Sequence, residues 1–203
     1  AMGLTTGESP GADTKAIVRQ LLVDPSPVVR YEALRAFGRH WQAEGCAQIV
    51  NAVGDSDHIA LLALDLLGGG CPAAENVGAV LRGVADRIER SGAGSRTWHR
   101  AAHAMVSLAR IDRAQAAERL PAFAGHPVWQ VRMYAARAAA TLGDQAVLRR
   151  LATDDSDNVR DAFNPFGNAD MLEVGLILAH AAHMGDLEGL RKVVEMGTSN
   201  PAR

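Results

Sequence analysis

A short pattern recurs along the chain and restricts its fold more than any other feature. Asp24-Pro25-Ser26-Pro27-Val28-Val29-Arg30 leads into Tyr31-Glu32-Ala33-Leu34-Arg35-Ala36-Phe37-Gly38. His126-Pro127-Val128-Trp129-Gln130-Val131-Arg132 leads into Met133-Tyr134-Ala135-Ala136-Arg137-Ala138. Asp154-Asp155-Ser156-Asp157-Asn158-Val159-Arg160 opens another copy. In each, Val precedes an Arg that lies six residues after the opening Asp or His. Two weaker copies begin at Asp57 and Thr97 and place Ala60 and Arg100 in the Arg slot. The slots at 30, 60, 100, 132 and 160 are separated by 30, 40, 32 and 28 residues. Repetition on this scale is the mark of stacked supersecondary units.

Each unit reads as a turn followed by a helical pair. Asp, Pro and Ser cannot continue a helix but can start and cap the next one. Pro27 and Pro127 fall near the first helical turn, where a missing N–H costs little. Val29, Ala33, Ala36 and Phe37 then recur at helical spacing. Second helices are predicted over 45–53, 73–91, 112–123 and 144–152. In one of them Val77, Val80, Leu81, Val84 and Ile88 share a face. Gly38, Gly68 and Gly143 are expected at or near helix ends. Gly68-Gly69-Gly70, ahead of Cys71-Pro72, reads as a loop between paired helices, without the Lys-Ser/Thr of a phosphate loop.

The Asp-x-x-x-x-Val-Arg-x-x-Ala units resemble HEAT repeats of the phycobilisome-lyase-like type, over roughly residues 12–163. The resemblance implies an all-α fold, a right-handed α-solenoid of helical hairpins. It also implies a structural ladder, in which Asp24, Arg30, Arg132, Asp154 and Arg160 bond between neighbouring repeats. Ala60 has no such side chain, so an interruption is expected there. Residues 1–11 are read as a disordered or tag-derived start. Residues 164–203 are read as a helical hairpin closing the same solenoid. Within and around that hairpin, Asp154 to Leu172 resembles a leucine-rich-repeat variant. The stretch Ala181-Ala182-His183-Met184-Gly185-Asp186-Leu187-Glu188 with Val193-Val194-Glu195-Met196-Gly197 resembles an ankyrin helical pair.

Chemistry-bearing constellations are sparse. His99 and His103 share a helix face, as do His180 and His183, but no His is followed by Glu as in a zincin or a HEAT-type di-iron enzyme. These histidines are read as core or surface residues, and no metal, cofactor or catalytic residue is assigned. Neither Cys46 nor Cys71 lies in a redox or protease motif, and both are read as free, partly buried thiols of a cytoplasmic protein. No window of roughly 18 apolar residues spans a membrane, and the N-terminal stretch has no signal-peptide core.

Composition supports helix-on-helix packing. Hydrophobic residues make up 48% and aromatics only 4%, so Ala, Leu and Val must build the core. Net charge is −2. The predicted second helices carry seven Arg (82, 87, 90, 113, 119, 149 and 150) against six acids (75, 86, 89, 112, 118 and 144). That balance does not favour a phosphate-tracking groove, so a nucleic-acid partner is disfavoured. Local runs such as Arg149-Arg150 and Arg191-Lys192 suit acidic partners. Trp98 and Trp129, and the segment from Phe163 to Phe166, either pack between units or serve as binding anchors.

The leading expectation is a non-catalytic scaffold that binds a protein or peptide on a curved helical surface. Candidate partner-binding residues are Trp98, Trp129, Arg82, Arg119, Arg149 and Arg150. The alternatives are a nucleic-acid-binding protein similar to HEAT-like DNA glycosylases, and a tetrapyrrole lyase or chaperone-like protein.

Overall fold

The computed structural model describes residues 11–71, 76–90 and 98–160. The expected N-terminal segment, the closing hairpin at 164–203, Phe163 to Phe166, the His180–His183 pair and Arg191-Lys192 lie outside the described residues, save Gly11. The described residues form ten packed helices and no strand. In chain order these are α1 (Ala12–Leu21), α2 (Pro27–Trp41), α3 (Cys46–Ala52), α4 (Asp57–Gly70), α5 (Val77–Ala85), α6 (Trp98–Ile111), α7 (Arg113–Ala124), α8 (Trp129–Leu142), α9 (Gln145–Leu151) and α10 (Asp157–Arg160). Short 3-10 turns at Gln42–Glu44 and Asp86–Arg90 extend α2 and α5.

The helices sort into two rows. Those that follow an Arg-slot turn pack successively, α2 on α4, α4 on α6, α6 on α8 and α8 on α10. The other row contains α3 against α5 and α7 against α9, and α3, α5 and α7 each pack on the next helix of the first row. Alanine makes this spacing workable. Ala101, Ala104, Ala135, Ala136, Ala138 and Ala139 are all buried on α6 and α8. Leu34, Phe37, Leu64, Leu67, Met105 and Leu108 fill the remaining volume, each fully buried. Close-packed interiors of this kind tolerate little added volume.

Of the three glycines expected at or near helix ends, only Gly143 is a cap, while Gly38 and Gly68 stand within the last turn of α2 and α4. Gly143 does cap α8 in the left-handed region, with φ of 72°. Gly38 lies inside α2 and Gly68 inside α4, which runs on through Gly70 rather than breaking into a loop. The reason is interhelical contact. A Cβ at Gly68 would stand 2.5 Å from the Ser107 hydroxyl oxygen and 2.7 Å from the Ser107 Cα. Ser107 in turn donates from its hydroxyl to the Leu64 carbonyl at 2.8 Å, which ties α6 to α4. Gly38 leaves the matching space for Leu66.

This contrast predicts opposite signs for two equal substitutions. In an open helix, Gly to Ala gains about 1 kcal/mol of propensity. Gly83, on α5, has nothing within 4 Å of its would-be Cβ, so Gly83→Ala is expected to stabilise by roughly that amount. Gly68→Ala must push α4 from the α6 backbone and is expected to destabilise by about 1–3 kcal/mol. Urea denaturation of both variants checks this; equal shifts would show that α4 and α6 do not approach so closely.

A second departure concerns the cysteines. Cys46 and Cys71 are not free thiols but form a disulfide, with Cα atoms 5.7 Å apart. Packing of α3 on α4 sets the first residue of α3 beside the residue that ends α4. Their spacing of 25 residues in sequence does not reveal this.

Candidate functional site

The turns are built alike. At Asp24 and Asp154 the carboxylate accepts the backbone N–H two residues on, from Ser26 at 2.8 Å and Ser156 at 2.9 Å. At His126 the ring Nδ1 takes the carboxylate's place and accepts from the Val128 N–H at 3.1 Å. An acceptor at that position closes the turn, which is why His can replace Asp there. The first i to i−4 backbone bond of each following helix, and of α4, then falls on the slot residue. Arg30, Ala60, Arg132 and Arg160 donate their N–H groups to the carbonyls of Ser26, Ser56, Val128 and Ser156.

Slot arginines stitch these turns together. Arg30 donates from Nε and Nη2 to both carboxylate oxygens of Asp55, at 2.7 and 2.8 Å. Its Nη1 binds the Asp24 and Pro25 carbonyls of its own turn. Arg132 repeats the arrangement, forking onto Asp154 at 2.7 and 2.8 Å and binding the His126 and Pro127 carbonyls. It also reaches Asp155 at 2.7 Å. Arg160 binds the Asp154 carbonyl and pairs with Asp157. Asp24 takes Arg30 through its carbonyl, while its carboxylate closes the turn.

Ala60 does not interrupt the series. Arg100, from the following helix of the row, reaches back to the turn before α4. It binds the Asp55 carbonyl at 2.7 Å, the Val53 carbonyl at 3.3 Å and the Asp57 carboxylate at 2.9 Å. The carbonyl that an Arg at position 60 would take is therefore supplied from α6. One turn receives Arg30 from α2 and Arg100 from α6.

These bonds set the acid response. The Arg30 hydrogen bond, opposed by desolvation and aided by the Ser56 N–H, lowers the Asp55 carboxyl from 3.8 to about 2. The Arg132 bond holds Asp154 lower still, against its burial. Both folded values lie below the unfolded ones. The stability they contribute is present above pH 4 or so and is lost as pH falls through their folded values. For Asp55 that share is on the order of 2 kcal/mol. Unfolding free energy measured in urea is expected to fall from pH 4.5 to 2 or so, and Asp55→Asn should flatten that fall. An unchanged acid limb in the variant would contradict it.

The candidate partner-binding residues separate into two groups. Arg119 pairs with Asp86 at 2.6 Å and binds Gln115. Its Asp86 bond, opposed by desolvation, raises its pKa. Arg150 donates to the Ala124 carbonyl at 3.0 Å, closing α9 onto the end of α7. Both are thus engaged within the fold. Asp112 and Asp144, counted among the acids of the second helices, cap α7 and α9. Arg149 is exposed and Arg82 half-buried. Trp98 is half-buried against the core and stacks on His99 at 3.7 Å. Trp129 stays 36% exposed at the start of α8, the only tryptophan so placed among the described residues.

Two features went unread in the sequence. The first is a hydrogen-bonded chain across three helices. His103 on α6 binds the Asp65 carboxylate of α4 through Nδ1 and the Tyr134 hydroxyl of α8 through Nε2, each at 2.8 Å. A carboxylate only accepts, so Nδ1 carries a proton toward Asp65, and Nε2 shares the second hydrogen bond with the Tyr134 hydroxyl. Burial raises the Tyr134 pKa, and Arg137 lies 5.1 Å from its ring centre. His99 and His103 therefore have different partners despite sharing a helix. Among the described residues, no cluster of three His, Cys, Asp or Glu could hold a metal ion.

The second feature is a groove. Two open clefts of about 590 and 600 Å³ share Val84, Arg87 and Arg100 and lie along α3, α4, α5 and α6. A third cleft of about 500 Å³, beside α1, includes Arg30 and Asp55, which bind each other. The groove coincides with the 40-residue interval between slots 60 and 100, the longest of the series and the one available sign in the sequence. No helix among the described residues is long and apolar enough to cross a membrane. No protein-family model matches the chain, and no curated protein matches it.

Proposed function

We propose that the chain is a right-handed α-solenoid of HEAT-like hairpins and serves as a non-catalytic module that binds a protein or peptide. The recurrence of one side-chain-closed turn at the starts of α2, α8 and α10, each followed by a slot arginine that binds the carbonyl opening its own turn, carries this reading. Units joined in that way extend a surface rather than close around a single site. Trp129, which is exposed, and Arg149 are the sequence-assigned anchors still available to a partner. Arg119 and Arg150 serve the fold instead. The Cys46–Cys71 bond favours an oxidising compartment over the cytoplasm.

Capture of partners from source-cell lysate on the immobilised protein, with and without nuclease, tests the reading. A nuclease-resistant protein, lost with Trp129→Ala, is the expected result. Capture abolished by nuclease would replace this reading with nucleic-acid binding.

A further inference from the structure

The Cys46–Cys71 bond holds a helix end that the sequence leaves weak. Helix α4 closes on Gly68-Gly69-Gly70 before Cys71, and no other helix among the described residues ends on three glycines. Glycine is the poorest helix former after proline, because ordering it costs the most backbone freedom. Side-chain contacts fasten this turn. Gly68 lies against Ser107 of α6, and the Gln42 side chain packs on Gly69 and Gly70 while its amide donates to the Leu66 carbonyl. The disulfide then ties Cys71 to the first residue of α3.

The two sulfurs differ in access. Cys71 is 1% exposed. Cys46 is half-buried, and Ala43, Glu44 and Ala47 around it are exposed. The Gln42 carbonyl lies 3.4 Å from the Cys46 sulfur and 3.7 Å from the Cys71 sulfur, and the Ala43 carbonyl lies 3.8 Å from Cys46. A disulfide has no proton to give these oxygens. Two thiols do, so the reduced pair finds acceptors already in place and its buried member is not left unsatisfied.

We propose that Cys46–Cys71 is a reversible thiol–disulfide exchange site, opened by attack of a dithiol on Cys46, and that its opening frees the glycine turn of α4. A thiolate of the dithiol bonds to the Cys46 sulfur, the Cys46–Cys71 bond breaks, and Cys71 leaves as a thiolate that takes a proton. The second thiolate of the dithiol attacks the reagent sulfur of this mixed disulfide, and Cys46 leaves in the same way. The protein disulfide gains two electrons, the dithiol becomes a disulfide, and the protons it loses are matched by those the cysteines gain. Access selects Cys46 as the sulfur attacked. Once Cys71 is released, the turn keeps the Ser107 and Gln42 contacts alone. This exchange does not depend on the proposed binding function.

The test uses the native full chain, held below the melting temperature of its reduced form. Limiting glutathione, which lacks a second thiol, should add to Cys46 and not to Cys71, as read by peptide mass after acid quenching. Reduction by dithiothreitol should outrun global unfolding by about tenfold or more. In the reduced protein the amides of Gly68, Gly69 and Gly70 should exchange with solvent faster by about tenfold or more, beyond any change at Ala135 to Ala139 of α8, which reports global stability. Oxidised glutathione should restore both the bond and the slow exchange. Adducts on Cys71, reduction no faster than unfolding, unchanged exchange at the three glycines, or failure of oxidised glutathione to close the bond would each overturn the proposal.

Discussion

Arg132→Ala is expected to reduce the free energy of unfolding by about 3–5 kcal/mol, the range for removing one partner of a buried ion pair. Five hydrogen bonds leave with the guanidinium, three to Asp154 and Asp155 and two to the His126 and Pro127 carbonyls. The larger cost is what remains. The Asp154 side chain is only 8% exposed, and its carboxylate keeps the Ser156 N–H but loses its cation. Two controls locate the effect. Asp154→Asn added to Arg132→Ala should recover part of the loss, because the stranded charge is gone. Arg132→Lys should recover little, since an ammonium cannot fork onto the carboxylate while holding two carbonyls. Arg30→Ala should cost less, because Arg30 and Asp55 are each 20% exposed and water can replace more of what is lost. Guanidinium denaturation gives all four values. A loss below about 1 kcal/mol for Arg132→Ala would mean that the pair behaves as a surface pair.

The arginine slots were legible because the turn imposes composition. A helix start needs an acceptor side chain, residues that stop the previous helix, and an arginine long enough to span to the next turn. Those needs leave Asp, Pro, Ser and Arg at constant spacing. Helix positions followed from apolar periodicity: the expected 112–123 and 144–152 are close to α7 and α9. Side-chain destinations were not legible. Ala60 reads as a gap, yet the missing bond is supplied by Arg100, 40 residues on, through the packing of α6 on α4. Gly38 and Gly68 look like terminators because glycine is permissive, and only the facing helix shows that the absent Cβ is what matters. Arg119 and Arg150 look like surface charge, but each ends on an acceptor from a neighbouring element. The groove is a product of how four helices meet, so no local pattern announces it.

Loss of the Cys46–Cys71 bond is expected to have the other large effect, and it bears on where the protein resides. The bond closes a 25-residue segment containing α3, the Arg-bridged turn and α4. Restricting an unfolded chain by a loop of that size stabilises the folded state by about 3.5 kcal/mol in the chain-entropy model. In a chain of this length each kcal/mol moves the melting temperature by about 2–4 °C, so reduction should lower it by roughly 7–14 °C. The double variant Cys46→Ser, Cys71→Ser should melt with the reduced protein and should not respond to reductant. Each single serine variant should expose one thiol to a thiol reagent after denaturation, and the unreduced native protein none. Two titratable thiols in freshly isolated, denatured protein would show that the pair is reduced in its own compartment. The geometry would then be an approach of two thiols, and the cytoplasmic expectation would stand. No thiol, together with the drop in melting temperature on reduction, would instead place the protein where disulfides persist. The same turn, between α3 and α4, also receives Arg30 and Arg100. Reduction should therefore loosen both arginine contacts, and the acid limb assigned to Asp55 should become shallower in the reduced protein than in the oxidised one.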